Sequence, residues 1–201
     1  MMNIAIIYYS ATGTNHKMAE WATEAAKSEG TNDVRLRRIK ETAPKEAIES
    51  NDDWKKHHQA TQDIEVAELG DLEWADAIIF SIPTRYGNLP SQVQAFFDTT
   101  GGLWSQGKLV NKVVSGMTSA QNPHGGQETT LLSLYKSMYH WGAIVAAPGY
   151  TSEELFKTGG NPYGFSTDGG VENLDEKSKT SIAHQVKRAI NIAECIKKGM
   201  S

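Results

Sequence analysis

The sequence has one cysteine and no long apolar run. The single cysteine, Cys195, excludes an internal disulfide bond. No secretory signal pattern is present, and no apolar stretch reaches the roughly 18 residues that a membrane-spanning helix needs. These absences predict a soluble, cytoplasmic protein that does not insert into a membrane.

Positive charge is not in excess either. The 20 Lys and Arg residues are outnumbered by 24 Asp and Glu residues, and the formal net charge is −4. Nucleic acids and anionic membranes are usually bound by basic surfaces, so we expect neither as a partner. The most basic run, "RLRRIK" at 35–40, alternates with apolar residues. This alternation is typical of a strand near the edge of a sheet with one solvated face.

Clusters of metal ligands and hydrolytic residues are also missing. His57 and His58 lie in the charged stretch "DDWKKHHQ", with no neighbouring cysteine and no carboxylate at ligand spacing. We therefore predict that both histidines are solvated and that the chain holds no metal ion. The loops contain no paired carboxylates and no Ser-His-Asp arrangement, which argues against hydrolysis.

Strand-like and helix-like segments alternate along the chain. The strand-like segments are "IAIIYY" (4–9), "VRLRRI" (34–39), "AIIFSI" (77–82), "KVVSGM" (112–117) and "GAIVAA" (142–147). Helical patterns follow them, and the clearest is the last, with Ile182, Val186 and Ile190 on one face. The alternation predicts one α/β domain over residues 1–201, a doubly wound parallel sheet with helices on both faces. Residues 41–63 read as a charged insertion.

In such a fold, ligands bind at the carboxyl ends of the strands. The first loop at that edge is "SATGTN", residues 10–15, which leads into a helix. Hydroxyls, free backbone N–H groups and the helix dipole make it suitable for an anion. It lacks the lysine of nucleotide-hydrolase loops and the G-x-G-x-x-G of dinucleotide folds, so neutral donors would hold a phosphate. Ser10 and Thr14 could also be helix caps and nothing more.

Three further loops at this edge strengthen the ligand hypothesis. They are "PTRYGNLP" (83–90), "TSAQNPHGGQE" (118–128) and a long, structureless Gly-rich tract at 148–170. A long tract of this kind within a domain is usually functional. Arg85 could be an ordinary surface residue, but its position between Pro83 and Gly87 on such a loop favours a functional role. Trp104 follows a Gly-Gly pair, and an isolated tryptophan of this kind is more often a core residue than a platform for a ligand.

These motifs carry a resemblance to a known family. "SATGTN" resembles the phosphate loop of flavodoxins, and "PTRYGN", "TGGLW", "GGQE" and "GGNPYG" follow in the order found in the WrbA family. That family comprises FMN-dependent NAD(P)H:quinone oxidoreductases. The resemblance covers nearly the whole chain, from Ile4 to about Gly170. It implies a flavodoxin-like, five-stranded sheet of order 2-1-3-4-5 and a homotetramer with flavin sites at subunit contacts.

The resemblance also implies roles for individual residues. The cofactor-binding set comprises Ser10, Thr12, Gly13, Thr14, Asn15, Pro83, Thr84, Arg85, Tyr86, Gly87, Ser119, Ala120, Gln121, Asn122, Gly125 and His140. The catalytic set comprises Arg85, Trp104 and His140, with Trp104 as an aromatic wall for nicotinamide or quinone. Thr12 stands where some members have an aromatic residue, and "SAQNPHGG" replaces a loop of the Ser-Thr-Gly-Thr-Gly-Gly type. These departures leave the choice between NADH and NADPH open.

The predicted function is transfer of two electrons from NAD(P)H to a quinone through FMN, by a ping-pong mechanism. A one-electron carrier of the flavodoxin type would need no substrate platform, and its acidity is usually stronger than a net charge of −4. Reduction of other acceptors, such as azo or nitro compounds, and a non-catalytic module that binds a protein partner remain as alternatives.

Overall fold

The computed structural model describes residues 1–30 and 32–200. Within these residues the chain forms six strands: β1 Asn3–Tyr8, β2 Asp33–Arg38, β3 Ala77–Pro83, β4 Val113–Ala120, β5 Ile144–Val145 and β6 Ser166–Asp168. The α-helices are α1 Thr14–Ser28, α2 Lys45–Glu49, α3 Asp52–Ala60, α4 Leu69–Trp74, α5 Ser91–Asp98, α6 Gly101–Ser105, α7 Gln127–Trp141 and α8 Glu176–Gly199. Two short 3-10 helices cover Glu153–Thr158 and Val171–Asn173.

The strands form one parallel sheet in the order β2-β1-β3-β4-β5. This confirms the predicted order 2-1-3-4-5 and the predicted fold class. Alternate residues of β1 face opposite layers: Ile4 and Ile6 pack with α1 and α8, whereas Ala5 and Ile7 pack with the layer that contains α5 and α7. Because the central strands are covered on both faces, their sequences are almost continuously apolar.

The fifth position of the sheet differs from the prediction. The predicted strand at 142–147 is reduced to β5, which pairs with the start of β4 at Val113 and Val114. A further strand, β6, pairs with the end of β4 at Thr118–Ala120. The five-stranded sheet therefore has a sixth segment, and the tract at 148–170 is not structureless as predicted.

Hydrogen bonds from the core explain why this tract is ordered. Gln185 of α8 accepts from the backbone N–H of Phe165 at 2.7 Å and donates to the carbonyl oxygen of Gly116 at 2.8 Å. Tyr135 of α7 donates to the carbonyl oxygen of Tyr163. These buried bonds attach the tract to β4 from both layers of the molecule.

The arginines of edge strand β2 are not simply solvated, contrary to the prediction. Arg35 and Arg37 bind the buried carboxylate of Asp71, each at 3.1 Å. Asp71 also accepts from the backbone N–H of Glu68 in the capping box that begins α4. Two cations therefore pair with a single buried acid, so Arg35 and Arg37 are half-buried ion-pair partners rather than solvated side chains.

No described helix combines the length and the apolar character needed to cross a membrane. In the same part of the chain, no group of three His, Cys, Asp or Glu side chains is arranged to hold a metal ion.

Candidate functional site

A cavity of about 830 Å³ opens at the carboxyl ends of the strands. Its walls come from the loop after β1, the loop after β3, the loop after β4 and helix α3. The predicted residues that line it are Ser10, Thr12, Thr14, Asn15, Pro83, Thr84, Arg85, Tyr86, Gly87, Ser119, Ala120, Gln121, Asn122 and Gly125. None of the described residues that line the cavity carries a carboxylate, and Arg85 supplies a positive charge. The cavity is therefore suited to an anionic ligand.

The loop at residues 10–15 leads directly into α1. Gly13, the residue before the helix, has φ +107°, and its backbone N–H donates to Ser10 Oγ at 3.0 Å. No side chain caps the N-terminus of α1, and its first turn contains no acidic residue. The free N–H groups and the helix dipole therefore remain available to a ligand anion.

Asn15, on the first turn of α1, joins the ends of β3 and β4. Its side chain donates to Ser81 Oγ at 3.3 Å and accepts from Ser119 Oγ at 2.6 Å, and all three residues are buried. The amide is thus engaged within the protein. A contribution of Asn15 to a ligand would come from its backbone N–H, with the side chain fixing the relative positions of the loops.

The loop after β3 contains a tight turn. Arg85 and Asn88 exchange two backbone hydrogen bonds of 2.9 Å, and the two residues between them, Tyr86 and Gly87, have φ +52° and +77°. A tyrosine in this left-handed region is strained by about 1–2 kcal/mol. Its side chain is fully exposed, with a relative accessibility of 101%. Strain together with complete exposure makes Tyr86 a candidate for contact with a ligand or another molecule.

The loops after β3 and β4 meet through two glycines. An ideal Cβ on Gly126 would lie 2.6 Å from the Cα of Gly87, so neither position can easily carry a side chain. Thr84 strengthens the junction by donating to the carbonyl oxygen of Gly125 at 3.2 Å. Gly126 precedes α7, whose N-terminus also has no side-chain cap. Two uncapped helix N-termini therefore border the same cavity.

Trp104 and His140 lie together outside this cavity. Trp104 Nε1 donates to the carbonyl oxygen of His140 at 2.8 Å, and the Trp104 side chain is 58% exposed. His140 lines a separate depression with Asn88 and Lys136. Within one chain, the structure does not bring these two predicted residues to the ligand cavity.

Several residues that line the cavity were not identified from the sequence. They are Ala11, Asn51, Trp54, Gly126, Thr129 and Gly169. Asn51 and Trp54 belong to the segment that was predicted to be an insertion. That segment follows β2 at the same edge of the sheet, and this topological position was the one signal that could have identified it.

The prediction that His57 is solvated is wrong. Its ring lies against the loop after β1, where Nδ1 is 3.6 Å from an ideal Cβ on Gly13, and its Nε2 atom is buried. Burial, followed by the nearby His16, lowers the pKa of His57 from 6.5 to about 4. The imidazole is therefore neutral at physiological pH.

Comparisons with known proteins agree with this arrangement. A WrbA-like flavodoxin from Agrobacterium tumefaciens aligns with a TM-score of 0.68 at 22% identity, covering 97% of this chain and 99% of that chain. This similarity shows the fold. The sheet order and this similarity define an α/β protein of the flavodoxin-like class.

The sequence comparisons identify the family. The model of the family described as NADPH-dependent FMN reductase matches residues 2–156, and the chain belongs to this family. A protein of Deinococcus radiodurans named NAD(P)H dehydrogenase (quinone) is 51% identical, covering 95% of each chain. A protein of Geotalea uraniireducens with the same name is 38% identical, covering 96% of this chain and 98% of its own. The predicted family and the prediction that the chain is an oxidoreductase enzyme are confirmed.

Proposed function

We propose that this protein uses FMN to transfer two electrons from NADH or NADPH to a quinone by a ping-pong mechanism. The observation that carries the proposal is the cavity bordered by two uncapped helix N-termini and free of carboxylates among its described lining residues. The predicted cofactor and co-substrate agree with the family's description and with the names of the relatives. When bound, FMN supplies reversible two-electron chemistry between the nicotinamide nucleotide and the acceptor.

The residues present fit this cofactor. Ser10, Thr12 and the backbone N–H groups at the start of α1 would hold the phosphate, because charge-assisted hydrogen bonds of about 1.5–3 kcal/mol each can replace a lysine. Thr84, Tyr86 and the loop 119–125 would hold the ring system. The Arg85 guanidinium would stabilise negative charge on the reduced cofactor.

Trp104 and His140 would act from a neighbouring subunit. Both lie outside the cavity of their own chain, and the aromatic surface of Trp104 is exposed. The resemblance to the WrbA family implies a homotetramer, in which such a surface could cover the cavity of another copy. Use of a nicotinamide nucleotide also favours the predicted cytoplasmic location, where this donor is kept reduced.

Sequential use of one slot is the reason for a ping-pong mechanism. The described residues form one large cavity at this edge of the sheet. The nicotinamide ring of the donor and the ring of the quinone would therefore have to occupy the same space in turn. Double-reciprocal plots at several quinone concentrations should then be parallel, and excess quinone should inhibit competitively against the donor. Intersecting lines would contradict a shared slot.

Anaerobic titration separates the candidate functions. The FMN-loaded protein should be bleached by NADH or NADPH and reoxidised by benzoquinone, with two electrons exchanged in each half-reaction. A flavin that stops at the one-electron stage would favour a carrier. A flavin that neither nucleotide reduces would favour a binding module. Reoxidation by an azo or nitro compound but not by benzoquinone would identify a different acceptor.

A further inference from the structure

Helix α3 presents one face to the ligand cavity. Asn51, which precedes the helix, and Trp54 line the cavity, and His57 contacts the loop after β1. These residues are three positions apart, so they lie on the same side of the helix. Asn51 Oδ1 accepts from the backbone N–H of Trp54 at 2.9 Å and fixes the start of the helix beside the cavity. The segment 51–57 is therefore a wall of the site.

The indole of Trp54 is held in place by the half-buried carboxylate of Glu41. Its Nε1 donates to Glu41 Oε2 at 3.1 Å, and Glu41 also accepts from Tyr9 Oη at 2.9 Å and from Gln92 Nε2 at 2.7 Å. Tyr9 directly follows β1 and Gln92 lies on α5, so the acid ties Trp54 to the rigid part of the fold. A ring fixed in this way can contact a ligand with little loss of side-chain entropy.

His57 supports the next part of the same wall. Gly13 lies between the His57 ring and Val171, since an ideal Cβ on Gly13 would be 3.6 Å from His57 Nδ1 and 3.5 Å from Val171 Cγ2. The His57 ring also packs on His16 of α1, with ring centroids 5.2 Å apart. The contact therefore restricts the loop whose backbone N–H groups face the cavity.

We propose that α3 is part of the flavin-binding site, with Trp54 in contact with FMN and His57 positioning the phosphate loop. The inference rests on the proposed FMN cofactor. It favours the cofactor over the substrates because Trp54 also lies beside Tyr9 and Ser10, at the start of the loop that would anchor the phosphate. A ligand anchored at Ser10 would therefore lie beside Trp54.

The test uses apoprotein and measures binding of FMN and of riboflavin, which lacks the phosphate, by calorimetry and flavin fluorescence. Trp54→Ala should raise the Kd of both ligands by a similar factor, roughly tenfold, because a stacking surface is lost. Bound flavin should also become more fluorescent, since an adjacent indole quenches it. His57→Ala should raise the Kd of FMN and leave that of riboflavin unchanged.

Two further variants make the result decisive. Trp54→Phe keeps an aromatic ring and should give a Kd between those of the wild type and Trp54→Ala. Trp74→Ala is the matched control, since Trp74 is a half-buried tryptophan on a short helix that stacks on Arg35 outside the cavity. Equal Kd values and equal flavin emission in Trp54→Ala and Trp74→Ala would overturn the proposal. An effect on the KM of quinone or NAD(P)H alone would also overturn it by assigning Trp54 to the substrates. Absence of FMN binding by the wild type would instead refute the proposed function.

Discussion

Tyr86 combines an unfavourable backbone conformation with a side chain that has no protein surface around it. Its φ of +52° lies in the region that asparagine and glycine adopt readily. The turn from Arg85 to Asn88, with two central residues of positive φ, is of the kind for which Asn-Gly is preferred. Tyrosine at this position therefore costs stability that an external contact would offset.

We expect Tyr86→Asn to stabilise the free protein while weakening its function. Relief of the backbone strain should raise the free energy of unfolding by about 0.5–1 kcal/mol. Loss of the exposed ring should lower kcat/KM for quinone reduction. Urea unfolding of the apoprotein and steady-state kinetics of the loaded protein measure the two effects. Unchanged activity would show that the exposed tyrosine serves no substrate or cofactor.

His57 should make the apoprotein sensitive to acid. Its pKa is lowered from 6.5 to about 4 in the folded protein, chiefly by burial. Between these two pH values the unfolded chain binds more protons than the folded one, so this contribution to stability falls as the pH falls from 6.5 to 4. The free energy of unfolding of His57→Gln should therefore decrease less than that of the wild type over this range. If urea titrations gave parallel profiles of unfolding free energy against pH for the wild type and His57→Gln, the lowered pKa of His57 would not be the cause of the acid sensitivity.

At the scale of secondary structure, the sequence was most informative where elements are buried on both sides. The segments "IAIIYY" and "AIIFSI" predicted β1 and β3 within one residue, because continuous apolar runs have few alternatives in a parallel sheet. "GAIVAA" has similar composition but forms only two strand residues. The end of β4 pairs instead with β6, and the tract that leads to β6 is held by Gln185 and Tyr135. Because these residues are distant in sequence, no local pattern contains that information.

The tract between β5 and β6 approaches the sheet through Gly164. An ideal Cβ there would overlap the carbonyl oxygen of Gly116 and lie 3.2 Å from Leu131 Cδ1. Gly164→Ala should therefore lower the free energy of unfolding by about 1–3 kcal/mol, as overpacking does. Gly70→Ala is the control, because that glycine is helical and its Cβ would meet nothing within 4 Å. The control should be neutral or stabilised by up to about 1 kcal/mol. If thermal and urea unfolding showed that Gly164→Ala and Gly70→Ala lose the same free energy of unfolding, the close approach of Gly164 to Gly116 would not be the cause.

Part of the candidate site could be predicted from the sequence and part could not. The loops after β1, β3 and β4 were recognised from motifs, and they line one cavity because the carboxyl ends of parallel strands meet at one edge. Trp54 and His57 were missed because their surroundings in the sequence are charged, and only the folding of α3 turns them toward the cavity. Charge patterns describe the solvated face of a short helix and carry no information about its opposite face.

For the whole molecule, the positions of Trp104 and His140 make assembly part of the proposed function. The two residues contact each other, yet neither lines the cavity that contains Arg85. If they complete an active site, they must do so on another copy. Closed symmetric oligomers allow every copy to give and receive such a surface. Light scattering of the FMN-loaded protein should then show a homotetramer, and a monomer at micromolar concentration would contradict this arrangement.

Subunit complementation tests the arrangement directly. Arg85→Met should impair the cavity of its own chain, and Trp104→Ala should impair the surface supplied to a neighbour while leaving FMN bound. Each homotetramer should have low quinone reductase activity. Co-expression of the two variants gives mixed tetramers. On the order of a quarter of their sites would combine an intact cavity from one chain with an intact Trp104 from a neighbouring chain. The quinone reductase activity of the mixture should therefore exceed the mean activity of the two homotetramers. Co-expression of Arg85→Met with Ser10→Ala is the control, because both changes affect the same cavity and should give no such recovery. If the mixed Arg85 and Trp104 tetramers also gave no recovery, Trp104 would act within its own chain or have no role in the reaction.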